Sequence, residues 1–383
     1  MTRIFNSHKL NFWPVLSGVL VTILLFMGSS GFSHAFAIRP TGTDKEDIIF
    51  AFEVPATFPF FDREARALVT QMFTNPVHER ATNLIFGCKD DPKEPDVCGD
   101  PGEDSTSASA AVLAGNQWND NPPFELTSTT TGLCKQYIGK TIKAPYAAAC
   151  WYMLFRDGEK KSAKGAYFDA KSGNVLLYRV HFGDMQFLHA MASRDGEAPR
   201  VTRARIMMWA EFTYKLATGA LSRSVVLNQS GIPGMKDLFY NRGWTAQQLL
   251  IRGDGSYHAE KDFRDFAFGS LLHLIQDSFS RAHTRRALPT GDFCPGSQTL
   301  FAPGKVISFL SYASQNKMDH KNQDTQAALS ANLSYVPPTA MDVGSVLRQF
   351  YVSGKPWNEV KNYLDCVFAI DDTAVAAGPG GPF

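Results

Sequence analysis

Residues 259–281, AEKDFRDFAFGSLLHLIQDSFSR, form the strongest helix candidate in the chain, and the apolar stretch from Leu271 looks like a buried helix. A helix of that kind has no face for water and must be wrapped by other elements. Asp262 and Asp265 fall near its start, where carboxylates suit the helix dipole. Its second half, continued to residue 283, reads LLHLIQDSFSRAH and holds His273, Asp277 and His283. Successive helical residues turn about 100°, so His273 and Asp277 lie about 40° apart on one face and can bind one cation. A helix prolonged to His283 would put that ring about 80° to the other side of His273. A lone His-x3-Asp pair also occurs as a hydrogen-bonded core pair, so the spacing leaves both readings open.

The start of the chain reads as an export signal. Arg3 and Lys9 precede the apolar run VLSGVLVTILLFM, and Ala35-Phe36-Ala37 places small residues at the positions a signal peptidase inspects. The expected mature chain begins at Ile38, with residues 38–383 as one domain and the product secreted, in the periplasm or outside the cell. The alternative is an uncleaved anchor, which the Gly28–Gly31 segment weakens. Six cysteines, at 88, 98, 134, 150, 294 and 366, favour three disulfides in an exported protein. Proximity pairs 88 with 98, 134 with 150 and 294 with 366. No C-x-x-C occurs, which argues against a thiolate zinc site.

The pattern elsewhere is helical with long loops. Helices are expected over 62–86, on both sides of Asn75-Pro76, and over most of 184–217, where RIMMWAEFTYKLA is clearest. Residues 88–109 and 286–305 read as loops, and a small hairpin is expected over 163–181, turning at Ser172-Gly173-Asn174. The fold class is therefore mainly α: a single α-helical domain with one or two short hairpins.

Only seven histidines follow residue 37: 78, 181, 189, 258, 273, 283 and 320. His320 begins a second His-x3-Asp, with Asp324. Imidazole and carboxylate together suit zinc and similar divalent ions. His189, in HFGDMQFLHAM, reads equally as a helix face packed in the core, and His258 as an exposed loop residue.

In order, these segments resemble the zinc-dependent phospholipase C and P1-type nuclease superfamily, whose members are exported, mainly α-helical and carry a zinc cluster in a cleft. His78 matches the family's early histidine, Trp118-Asn119-Asp120 its Trp-x-Asp, and His181-Phe182 its His-aromatic pair. His273, Asp277 and His283 match the central H-x3-D-x5-H, and His320 with Asp324 the final pair. The resemblance implies two or three zinc ions held by these eight residues, with Asp120 bridging and Asp120, His273 and Asp277 at the catalytic centre. Asp184 and His189 are the alternatives to Asp120 and His181. One departure stands out. In the family a terminal Trp binds one zinc through its amine and carbonyl. Here the expected terminus, Ile38, lies 40 residues before His78. Glu79, Asp184 or a further processing step would have to replace that ligand.

The activity implied is hydrolysis of a phosphate ester. Phe-rich segments such as PATFPFFD, and a net charge of +1 without a basic stripe, favour phospholipid at a membrane surface over nucleic acid. The expected enzyme is a secreted phospholipase C giving diacylglycerol and a phosphorylated head group, with no obligate protein partner. The alternatives are a P1-like nuclease acting on single strands and a non-catalytic zinc-stabilised binding protein. Arg281, Arg285 and Arg286 flank His283 and read either as phosphate contacts or as solvated charges at a helix end.

Overall fold

The computed structural model describes residues 77–89, 107–126, 132–144, 147–172, 175–239, 243–253, 257–295, 301–316 and 338–381, with scattered positions between 320 and 331. The expected signal segment 1–37, the first half of the 62–86 helix, Cys98 and Asp324 lie outside these residues.

Among the described residues the protein is mainly α-helical. In chain order the helices are α1 (Val77–Phe86), α2 (Ala110–Trp118), α3 (Ala148–Ser162), α4 (Leu176–Phe182), α5 (Pro199–Thr218), α6 (Met235–Phe239), α7 (Ala246–Leu250), α8 (Glu260–Asp277), α9 (Ala340–Val352) and α10 (Trp357–Val367). None of them is long and apolar enough to cross a membrane. Two small antiparallel pairs complete the framework. β1 (Phe124–Glu125) pairs with β2 (Thr141–Ile142), and β3 (Thr284–Arg286) with β4 (Val306–Phe309).

The strongest helix candidate forms α8 and sits at the centre, against α2, α5, α9 and α1. From Phe263 to Asp277 every residue but Arg264 is buried. Its closest neighbour is α2, and two glycines set that distance. A Cβ at Gly269 would lie 2.0 Å from the Val112 carbonyl oxygen, and one at Gly115 would lie 1.8 Å from that of Phe266. Only residues without side chains let the two backbones meet this closely.

Polar groups then fix the rotation of the helices. Trp209 of α5 donates from Nε1 to Ser270 Oγ (3.1 Å), and Ser270 donates to Asn119 Oδ1 (2.6 Å). Asn119 Nδ2 donates to the carbonyls of Leu188 (2.9 Å) and Ser270 (3.3 Å). These groups are buried, so each bond lost would leave an unsatisfied partner at about 1–3 kcal/mol. The network ties the C-terminus of α2 to α8 and to the turn before residue 190.

Disulfides join Cys134 to Cys150 and Cys294 to Cys366, as proximity suggested. The second closes 72 residues of chain and, on loop entropy alone, contributes about 4 kcal/mol.

Three expectations are corrected. Residues 176–182 form helix α4, not a hairpin strand; six of its seven residues are buried, and a run this short cannot be assigned by periodicity. The helix expected over 184–217 is broken: residues 186–189 form a 3₁₀ turn closed by Ala190 in the left-handed region (φ 51°), and α5 starts only at Pro199. Finally, α8 ends at Asp277, so His283 is not on it. Ser278 Oγ bonds back to the Ile275 carbonyl (2.7 Å), and the Arg286 guanidinium takes the Ser278 carbonyl (3.1 Å). A side chain competing for the backbone and a cation at the C-terminus both favour stopping there.

Candidate metal centre

Asp277, at the last turn of α8, is the hub. Its Oδ2 lies 2.9 Å from His273 Nε2 and 2.9 Å from His189 Nδ1. Its Oδ1 lies 3.5 Å from His78 Nε2 and 3.5 Å from His283 Nδ1. Asp277 is completely buried, and its ion-pair partners among the described residues are all histidines. A buried carboxylate in that setting requires positive charge, from protons on the imidazoles or from a cation.

Two groups offer donor atoms close enough to share an ion: His78 with His273 and Asp277, and Asp120 with His181 and His189. They adjoin, since His273 Nε2 is 3.1 Å from His189 Nδ1 and 3.9 Å from Asp120 Oδ2. His320 completes the cluster by stacking on His283, with ring centroids 5.0 Å apart.

The chain brings the other residues to His273 and Asp277 of α8 from six places. α1 carries His78 in its first turn. Asp120 follows α2 and stands between two anchored neighbours, Asn119 and Asn121, whose Oδ1 accepts from Ala144 N (3.0 Å). His181 lies on α4, with its ring edge against Trp151 and Phe155 of α3. His189 is delivered by the 3₁₀ turn. The left-handed Ala190 costs about 1–2 kcal/mol, offset by bonds from Ala190 N to Phe187 O (3.0 Å) and from Met191 N to Gln186 O (3.2 Å). His283 stands just before β3, and His320 follows β4.

Outer hydrogen bonds set the imidazole tautomers. His78 Nδ1–H donates to Gln276 Oε1 (2.6 Å). In this orientation its Nε2 donates to Thr82 Oγ1 (2.8 Å) and its Oε1 also accepts from Asn116 Nδ2 (3.1 Å). His320 Nδ1–H donates to Gln315 Oε1 (2.5 Å), whose Nε2 donates to the Ala282 carbonyl (2.5 Å). His283 Nδ1–H donates to the carbonyl of His189 (2.8 Å). Three imidazoles thus spend Nδ1–H on an oxygen and keep the lone pair on Nε2, the arrangement metal-ligating histidines adopt. The residues present therefore fit a divalent metal, and the buried His/Asp clusters could hold one.

Of the expected ligands, the structure gathers His78, Asp120, His181, His273, Asp277, His283 and His320; Asp324 lies outside the described residues. His189 joins Asp120 and His181 instead of replacing either. Asp184 is not available, because Arg179 grips it through Nε (2.8 Å) and Nη2 (3.0 Å). Glu79 accepts from Gln117 Nε2 (2.9 Å) and belongs to neither donor group. The supporting amides Gln276, Gln315 and Asn116 were not foreseen. Their one sequence signal is a carboxamide on an otherwise apolar face, as in LIQD. Arg286 is structural, holding the carbonyls of Ser278, Gly304 and Val367.

The electrostatics follow from burial and the two carboxylates. Burial works against a charged His78, yet Asp277, with Asp120 behind it, raises its pKa to about 9. His189 is raised against burial in the same way. Burial lowers His273 to about 3, helped by the neighbouring His78, and burial lowers His320 to about 3. Burial opposes the charge on Asp277, but the imidazoles of His283, His273 and His78 hold its carboxyl well below the usual range.

These shifts give the metal-free protein a stability maximum. His273 and His320 stay neutral in the fold while the unfolded chain takes up protons below about pH 6.5, so stability falls from there toward pH 3. His78 and His189 hold protons that the unfolded chain has released, so their contribution is full below about pH 6.5 and fades at higher pH, that of His78 as the pH rises through about 9. Thermal melts with chelator should peak near pH 6.5. With metal bound the maximum should move to higher pH, because ligation needs neutral imidazoles. An identical pH profile with and without metal would contradict this.

Comparison with protein-family models, with curated proteins and with solved structures finds no match to this chain.

Proposed function

We propose that the protein is a secreted zinc-dependent phosphodiester hydrolase of the phospholipase C type, releasing diacylglycerol and a phosphorylated head group. The observation that carries this reading is the convergence of His78, Asp120, His181, His189, His273, Asp277, His283 and His320 on two adjoining carboxylates. A closed structural zinc site needs four ligands, whereas this set is large enough for several ions with open positions. In this reading His78, His273 and Asp277 hold one ion, and Asp120, His181 and His189 a second. His283 and His320 hold a third beside Asp277. Bound zinc supplies Lewis acidity to phosphoryl oxygens and ionises water near neutral pH.

The protein's own groups do the rest. Asp277, His78, His273, His283 and His320 are buried, while His181 is half-buried and Asp120 is 8% exposed. The Asp120–His181 side is therefore the least buried part of the cluster, and in this reading the scissile phosphate approaches there. Asp120 is the carboxylate positioned to orient the attacking water and accept its proton. The Trp151 and Phe155 rings hold His181 in place and exclude water from behind it.

Hydrolysis of phosphatidylcholine vesicles tests this, in protein as purified, with chelator, and with zinc restored. Diacylglycerol and phosphocholine should form, disappear with chelator and return with zinc. Asp120→Asn should lower turnover by about 10²- to 10⁴-fold while the fold persists. A folded, zinc-loaded protein that leaves the lipid intact but cleaves single-stranded nucleic acid would replace this reading with the nuclease.

A further inference from the structure

The antiparallel ribbon of β3 and β4 does not end with its strands. Beyond the Arg286–Val306 pair, Ala287 N donates to the Lys305 carbonyl (2.8 Å). Farther out, Ala302 N donates to the Asp292 carbonyl (2.5 Å), and Phe293 pairs with Phe301 across the ribbon. Cys294 is buried at this level and bonded to Cys366 of α10, so the ribbon is tethered to the body of the protein.

Its apolar side chains face water. Leu288 is 82% exposed, Phe293 53% and Phe301 44%, and the two rings stack on each other at 4.8 Å without being covered. Of the seven large apolar side chains the described residues expose, three lie on this ribbon. A concentration of that kind marks an interaction surface. The ribbon's own segment carries charge of one dominant sign, while Asp371, beside Lys305, comes from the C-terminal segment that pairs with β4 at Val306. Between Ser278 and Asn316 the basic residues are Arg281, Arg285, Arg286 and Lys305, and the one acid is Asp292. Arg281, Arg285 and Lys305 are exposed. Apolar and aromatic residues projecting from a basic collar suit the boundary between anionic head groups and acyl chains. The ribbon also starts at the centre: His283 immediately precedes β3, and Leu288 follows five residues later, about 17 Å of extended chain.

We propose that this ribbon is a docking finger that seats Leu288, Phe293 and Phe301 in the interface of an anionic phospholipid bilayer, with Arg281, Arg285 and Lys305 on the head groups. The choice of a bilayer as partner rests on the phospholipid reading above, so binding is measured apart from turnover.

Full-length processed protein, inactivated with chelator, is sedimented with vesicles of phosphatidylcholine alone and of phosphatidylcholine with phosphatidylglycerol. The protein should partition into both and more strongly into the anionic vesicles, the difference shrinking with salt. The triple variant Leu288→Ser, Phe293→Ser, Phe301→Ser should lose partitioning about tenfold or more. Its melting temperature and its zinc content after reloading should match the wild type, which shows that fold and centre are intact. Phe293→Trp should add fluorescence that brominated acyl chains quench. Wild-type protein left in the supernatant, or a triple variant that partitions normally, overturns the finger. So does a triple variant that merely converts a dimer to a monomer, which would assign the ribbon to a second copy. Vesicle binding lost in the triple variant supports the finger even if wild-type protein fails to hydrolyse phosphatidylcholine. In that case only the phospholipase reading falls.

Discussion

Replacing Asp277 by asparagine should strip the centre of metal and reduce hydrolysis to background. Asparagine keeps the shape of the side chain and removes its charge. The loss is large because no other residue stands where Asp277 does. Its two oxygens face His273 and His189 at 2.9 Å and His78 and His283 at 3.5 Å. Removing an outer-shell partner of a metal ligand costs about 10- to 100-fold in affinity, and a charged ligand shared by the whole cluster should cost more. The metal-free protein should change as well. Asp277 is the main influence holding His78 protonated against burial, so the alkaline loss of stability between about pH 6.5 and 9 should flatten in the variant. Metal content after gel filtration and melts in chelator check both halves. Wild-type zinc content in a folded Asp277→Asn protein would refute the hub.

Gly269→Ala should destabilise the protein strongly. The new Cβ would stand 2.0 Å from the Val112 carbonyl oxygen, 2.7 Å from Asn116 N and 3.0 Å from Gly115 C. All three are backbone atoms, so no rotamer change relieves the overlap and α2 must back away from α8. Overpacking of this kind costs about 3 kcal/mol or more. The damage reaches the site, because α2 carries Asn116, which holds Gln276 and through it His78, and ends in Asn119-Asp120. α8 carries His273 and Asp277. A lowered melting temperature together with weaker zinc affinity is the expected result. Gly378→Ala is the control: a Cβ there meets nothing within 4 Å, and its stability should not fall. Equal melting temperatures for the two variants would mean that the α2–α8 contact is not set by Gly269.

The sequence made helix α8 plain, since its apolar second half and the carboxylates near its start agree on one element. It also placed His273 beside Asp277, an adjacency that depends on helical geometry alone. His283 shows where such reasoning stops. Its neighbours allow the helix to continue, and what ends it is the Ser278 hydroxyl with Arg286, a residue placed there by the β3–β4 pair. The 163–181 segment failed for a related reason: a seven-residue buried helix leaves no period to read. His189 was ambiguous because its position depends on Ala190 adopting a left-handed conformation that an alanine does not advertise. The convergence of His78, Asp120, His181 and His320 on α8 is a long-range property. The order of the segments suggested it, and no local pattern could.

The claim that most needs testing is that this buried cluster is a metal centre built from imidazole and carboxylate. X-ray absorption at the zinc edge, on protein purified without chelator, measures that directly. The expected result is about two or three zinc ions per chain, ligated by nitrogen and oxygen at about 2.0–2.2 Å, with no sulfur. A folded protein with no zinc signal, or zinc bound by sulfur at about 2.3 Å, would contradict it.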